Sequence, residues 1–176
     1  MANFQTAFNF LMDNEDAPRA YKTVPDACPN GCAGPCYAIA GINSAAFPLQ
    51  FAKINALPEG AARGLEIETF YQTVFWNQWY NQLNSDEVAK RVFDFSVNAG
   101  SVVAVKCLQR AIYTTGCNIS VDGAWGPATV AAANGCDEKR LVGDFQQQRI
   151  VYYKVIVAAH PEDQKYLLGW VARASK

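Results

Sequence analysis

The sequence predicts a mainly α fold, and three observations predict it. Apolar residues recur at helical spacing in one segment after another from position 60 onward. Gly, Pro and capping residues stand where those segments should begin and end. The one long irregular stretch, residues 16–43, shows no apolar–polar alternation strong enough to insist on strands.

The first helix is expected ahead of residue 15, with Phe4, Phe8, Leu11 and Met12 on one face. Residues 16–43, rich in Pro, Gly and Cys, follow as a long loop with room for a short hairpin. Ordered loops of that length in compact domains usually serve function. Asn84 with Glu87 fits a capping box, after which Val88, Val92, Phe95 and Ala99 keep one face apolar until Gly100. A further helix starts near Ser101 and shows Val105, Leu108 and Ile112 at helical spacing. In SVDGAWGPATVAAANG, Asp122-Gly123 is a turn signal, Pro127 suits the first turn of a short helix, and Gly135 suits its stop. Leu141, Phe145, Tyr152 and Ile156 mark a longer helix ended by His160-Pro161, and a last helix carries Leu167, Trp170 and Val171.

A chain of 176 residues suits one compact domain, or a catalytic lobe with a small subdomain. A net charge of −1 leaves no basic excess to displace counterions from phosphates, so nucleic acid is not an expected partner. The start, MANFQTAFNF, lacks the pattern of a signal peptide, and no run of about 18 apolar residues marks a transmembrane span. The expectation is a chain made in the cytoplasm, whose action in the periplasm or cell wall would need a separate pore protein. Six cysteines, at positions 28, 32, 36, 107, 117 and 136, hint at an oxidising destination, and the even count permits full pairing. In CPNGCAGPC the spacing would align the thiols on a helix, but Pro29, Gly31, Gly34 and Pro35 argue for a loop. Disulfides, free thiols and a partial zinc site all remain open there, the only histidine, His160, being far away in sequence.

A single histidine removes most hydrolytic designs, and neither a Walker loop nor a dinucleotide fingerprint is present. Carboxylate chemistry is what remains. In FLMDNEDAP, Asp13, Glu15 and Asp16 gather at the negative end of the first helix, where the dipole and neighbouring charges disfavour an ionised carboxyl. A general acid needs that property, and glycoside hydrolysis needs such an acid and, in the usual schemes, a second carboxylate. Glu15, placed just past the helix end, is the best donor on this view, and Asp26 is the loop acid that can face it across a cleft. The bland alternative is a clump of solvated acids.

Motifs along most of the chain resemble glycoside hydrolase family 108, the lysozyme-like N-acetylmuramidases of phage endolysins, followed by their peptidoglycan-binding segment. The family's Glu-Gly-Gly-Tyr matches at Glu15, its Asp-Pro-rich loop at YKTVPD, and its Thr-x-x-Gly-Ile at Gly41-Ile42. YQTVFWNQ resembles its Tyr-x-x-x-Tyr-Trp with Tyr71, Phe75 and Trp76, and VFDFSVNAG its Phe-Asp-x-x-Val-Asn-x-Gly with Asp94 and Asn98. CLQRAI with VDGAWGPAT resembles Leu-Gln and Asp-Gly-x-x-Gly-x-x-Thr through Leu108, Gln109, Asp122, Gly123, Gly126 and Thr129. YLLGWVARA resembles the terminal Gly-Trp-x-x-Arg with Gly169, Trp170 and Arg173. Asp16-Ala17 stand where the family has Gly-Gly, and Ala38 where it has Thr.

The resemblance implies a mainly α, lysozyme-like fold, with residues 1–92 as the catalytic part and 93–176 as a peptidoglycan-binding-like helical part, packed as one compact unit. It implies cleavage of the β-1,4 bond between N-acetylmuramic acid and N-acetylglucosamine, with Glu15 as general acid and Asp26 as the candidate second carboxylate. Tyr71, Trp76 and Tyr80 are candidate faces for pyranose rings, Asn98 a candidate for sugar hydroxyls or amides, and Asp94 a helix acid that holds structure. Bacterial peptidoglycan is the expected partner of a monomer, with no cofactor and no metal. Two rivals stand beside this reading: a lytic transglycosylase acting on the same bond, and a non-catalytic wall-binding or secretion-accessory protein.

Overall fold

Helix α1, Phe4–Glu15, forms where the sequence places it, and Phe8, Leu11 and Met12 are buried along one stripe. The structure is a computed structural model that describes residues 1–28, 32 and 34–176. Of the four loop-breaking residues in CPNGCAGPC, Pro29 and Gly31 lie outside the described residues. The chain divides into two compact units, one of Phe8–Trp76 and one of Met1–Ala7 with Asn77–Lys176, so α1 gives its first turn to the second and the rest to the first.

In the Phe8–Trp76 unit the irregular stretch contains a small antiparallel sheet in the order β1 (Val24–Asp26), β2 (Cys36–Ile39), β3 (Ile42–Asn43). Asp26 pairs with Cys36, and Ile39 with Ile42. The β2–β3 connection is Ala40-Gly41, with φ of +47° and +80°, the left-handed geometry that two-residue hairpin turns favour. Helices α2 (Pro48–Asn55) and α3 (Ala61–Val74) follow, α2 opening on a proline that suits a first turn. Phe47, Phe70, Tyr71 and Phe75 pack mainly edge to face beside Phe8, and Ile54 and Ile67 complete the core. The buried Arg63 of α3 ties loops to this core: Nε donates to Leu57 O at 2.9 Å, Nη1 to Tyr21 O at 2.9 Å and Nη2 to Asn55 O at 3.0 Å.

The other unit is helical: α4 (Gln78–Asn81), α5 (Asp86–Ala99), α6 (Ser101–Thr114), α7 (Pro127–Gly135), α8 (Glu138–Ala159), a 3-10 turn (Pro161–Tyr166) and α9 (Leu167–Ala174). The cap of α5 is one residue later than the sequence suggests: Ser85 Oγ accepts from Val88 N at 3.1 Å, while Asn84 N donates to Asn134 Oδ1. On α8 the core stripe is Leu141, Phe145, Arg149, Tyr153 and Val157, not the line through Tyr152 and Ile156. A strict spacing of four admits Arg149 because Asp94 is waiting for it.

Asp94, fully buried on α5, accepts from Arg149 Nη2 at 2.8 Å and from Arg173 Nη2 at 2.7 Å. The Arg149 guanidinium also lies over the Phe95 ring, 5.1 Å from its centroid. Asp94 is thus the structural acid that the sequence suggests. Gln109 explains a second motif. Its Nε2 donates to Asp122 Oδ1 at 2.8 Å and to Thr129 Oγ1 at 3.2 Å, while its Oε1 accepts from Gly123 N at 2.8 Å. One buried amide therefore fastens the whole turn from Asp122 to Thr129. The observed architecture is mainly α with a small three-stranded sheet, consistent with the lysozyme-like expectation.

Candidate functional site

The site builds on the C-terminus of α1. Glu15 is its last residue, inside the helix rather than just past its end as the sequence suggests, and is half-buried. Its carboxyl meets the β2–β3 turn: a Cβ on Gly41 would stand 2.7 Å from Glu15 Oε2 and 3.0 Å from the Tyr71 hydroxyl. Only a residue without a side chain allows the turn to approach that closely, and the φ of +80° demands glycine independently. The Tyr71 hydroxyl donates to Ala40 O at 2.7 Å, so α3 grips the same turn from the other side. Glu15, Gly41 and Tyr71, far apart in sequence, converge on one spot.

The acids around Glu15 have structural work that the sequence alone does not reveal. Arg19 folds back over the helix end, and its Nη2 donates to Asp13 Oδ1 at 2.9 Å and to Asn9 O at 3.1 Å. A cation thus meets both Asp13 and the negative end of α1. Asp16 Oδ2 accepts from Tyr21 N at 2.5 Å, and Asp16 O accepts from Arg19 N. Arg19 and Tyr21 have φ of +54° and +51°, a conformation costing non-glycine residues roughly 1–2 kcal/mol. In place of a glycine pair, the loop is thus held by the Asp16 carboxylate. Tyr21 is buried, which pushes its phenol pKa upward, and a Cβ on Gly64 would meet its ring at 2.8 Å.

Asp26 lies on β1, exposed, with both oxygens engaged: Oδ1 accepts from Ala27 N at 2.8 Å and Oδ2 from Asn43 Nδ2 at 2.7 Å. Cys36, opposite Asp26 in the ladder, is joined by a disulfide to Cys28. Cys32 stays a thiol with its sulfur 3.5 Å from that of Cys36. Full pairing of the cysteines is not what the structure holds, since Cys32, Cys107, Cys117 and Cys136 are free thiols.

The aromatic candidates separate. Tyr71 is 1% exposed and Tyr80 fully buried, so neither ring offers a face to a pyranose. That is a correction, and its reason is packing: Tyr71 sits among Phe8, Phe70 and Phe75, and Tyr80 between Phe93 and Trp125 with its hydroxyl on Ser96 at 2.8 Å. Trp76 is half-buried and follows the aromatic cluster, its backbone N–H donating to Tyr71 O. Asn98 belongs to the other unit, where its Oδ1 accepts from the Tyr153 hydroxyl at 2.6 Å. No helix among the described residues is long and apolar enough to cross a membrane.

Comparison with known proteins bears on these observations. No curated protein matches the chain in sequence. Brucella abortus SagA has a similar solved structure, with a TM-score of 0.70 and 21% identity, covering 98% of this chain and 89% of that one. That likeness extends the fold over nearly the whole chain. Residues 103–175 match the family described as Predicted Peptidoglycan domain. Those residues hold α7, α8 and α9 and all but the start of α6, together with the turn that Gln109 organises. The match supports a cell-wall-associated protein with peptidoglycan as its partner.

Proposed function

We propose that the chain is a peptidoglycan-cleaving muramidase in which Glu15 protonates the leaving glycosidic oxygen. The observation that carries the reading is the seating of Glu15: a half-buried carboxyl at the end of a helix, pressed against a glycine turn that Tyr71 holds in place. A general acid works when its carboxyl is held in one position beside the scissile bond, and proton donation of this kind contributes typically about 100- to 10,000-fold in rate. Tyr71 is here a positioning residue. Trp76 is the remaining aromatic candidate for a sugar ring.

The second reading is a lytic transglycosylase, which cuts the same bond with one acid/base group. What favours it is Asp26, whose two oxygens are taken up by Ala27 and Asn43 in holding the sheet. Digestion of purified peptidoglycan separates the readings by product mass. Reducing-end muropeptides mark hydrolysis, and products lighter by one water mark transglycosylation. With Glu15→Gln folded as the parent, cleavage should fall at least about 100-fold. Asp26→Asn should cost orders of magnitude if Asp26 acts on water or sugar, and little if it only braces the turn. A folded Glu15→Gln protein that clears walls as fast as the parent sinks the acid assignment, and a parent yielding no products leaves a wall-binding protein.

A further inference from the structure

We propose that the groove between α6 and α8 binds the carboxylate-bearing stem peptide of peptidoglycan. This rests on peptidoglycan as the partner and is independent of whether Glu15 cleaves anything. The groove measures about 460 Å³ and is lined from α6 by Lys106 and Arg110 and from α8 by Gln148, Val151, Tyr152 and Val155. All of these residues fall inside the segment matched to the peptidoglycan family.

Three features select the occupant. The first is charge. Lys106 and Arg110 stand one helical turn apart on one face, no carboxylate lines the groove, and neither cation is in a salt bridge among the described residues. Elsewhere in this unit Lys90, Arg91, Arg140, Arg149 and Arg173 pair with acids, while Lys139, Lys154 and Lys165, outside the groove, are likewise in no salt bridge among the described residues. Asp122 feels Lys106 from the neighbouring turn and is itself held by Ala124 N and Gln109, while the Cys107 thiol lies beside Arg110. A planar guanidinium with an ammonium beside it suits a carboxylate, which Arg binds through two parallel hydrogen bonds.

The second feature is apolar exposure. Val151 is 53% and Val155 61% exposed, on the face of α8 that carries the groove, and such a patch rimmed by charge marks a contact surface. The third is polarity at the floor. Tyr152 is half-buried, and burial raises its phenol pKa, so its hydroxyl remains a neutral donor beside the Gln148 amide. Stem peptides combine free carboxylates, amide groups and alanine methyls. The glycan strand offers hydroxyls and N-acetyl groups without those free carboxylates. Cations, amide-matching groups and valines together fit the peptide.

The test uses the full chain carrying Glu15→Gln, so that sacculi stay intact, and measures co-sedimentation with two ligands. One is intact sacculi; the other is the same material stripped of stem peptides by an amidase. The charge reversals Lys106→Glu and Arg110→Glu together should weaken binding to intact sacculi at least about tenfold, since each replaces a charge-assisted hydrogen bond to a carboxylate with like-charge repulsion. Stripped glycan, whose muramic acids keep only the lactyl carboxylate that the amidase frees and none of the peptide amides or alanine methyls, should bind the unreversed protein at least about tenfold more weakly than intact sacculi. Free stem peptide should compete with sacculi for the unreversed protein, a measurement that needs no groove variant to fold. Undiminished binding by a folded double variant, equal affinity for stripped glycan, or absence of competition would each overturn the proposal. If the unreversed protein sediments with neither ligand, peptidoglycan as the partner fails too, which distinguishes that failure from one confined to the groove.

Discussion

Gly41 is the residue on which the candidate site turns, because two independent constraints meet there. Its φ of +80° is costly for any side chain, and the space a Cβ needs is occupied by Glu15 Oε2. Gly41→Ala should therefore lose roughly 1–2 kcal/mol of stability from the backbone alone and displace the Glu15 carboxyl. Gly60 is the control, since its φ is +91° but nothing lies within 4 Å of its Cβ position. Gly60→Ala should lower the melting temperature comparably while wall cleavage persists, whereas Gly41→Ala should lose both. Equal activity in the two variants would show that Glu15 does not depend on the turn. Glycine at position 41 is legible in the sequence as part of a Gly-Ile motif, but the carboxyl against it is not. Motif spacing carries no information about which distant side chain a turn will touch.

Among the elements, the sheet is the one most dependent on a covalent tie. Strand β1 has three exposed residues and would bury little on its own, so the Cys28–Cys36 disulfide and the Asp26–Asn43 hydrogen bond hold it to β2 and β3. Closing a loop of this length contributes roughly 2–3 kcal/mol. Reductant, or Cys28→Ser with Cys36→Ser, should lower the thermal midpoint. Thiol labelling of unreduced native protein should modify exposed Cys32 first, and the buried Cys107 only after denaturation. An unreduced denatured protein with six reactive thiols would contradict the bridge. Burial also raises the Cys107 thiol pKa, which further slows its reaction in the native state. The sequence leaves the cysteine loop open among disulfide, thiol and metal because pairing depends on which sulfurs the backbone brings into contact.

Across the whole molecule, the helices beyond residue 100 serve as the partners of α5. Phe95 on α5 packs against Phe145, Tyr152 and Tyr153 of α8, and Asp94 beside it depends on Arg149 and Arg173. A chain ending at Gly100 would expose that face and leave Asp94 with neither arginine. Removing the partners of a buried charge typically costs about 3–5 kcal/mol, before any exposed apolar surface is considered. Such a truncation should be insoluble or melt without cooperativity in calorimetry. A sharp calorimetric transition accompanied by wall cleavage would show instead that the first 100 residues fold by themselves.

Local physics is what the sequence alone determined. The start of α6, both ends of α7 and the end of α8 follow from periodicity and breakers, and the resemblance of the C-terminal segment to a peptidoglycan family rests on its motifs. Tertiary structure decided which faces those elements turn inward and which charges meet. Arg149 on the buried stripe of α8 reads as polar until Asp94, 55 residues away, supplies its partner. Arg173, 79 residues from Asp94, completes the same cluster. Arg19 reaching back to Asp13, and Gly41 admitting Glu15, are likewise invisible along the chain. Helical periodicity is set by neighbours three and four residues apart, whereas a buried charge is tolerable only when the fold brings a distant counter-charge to it.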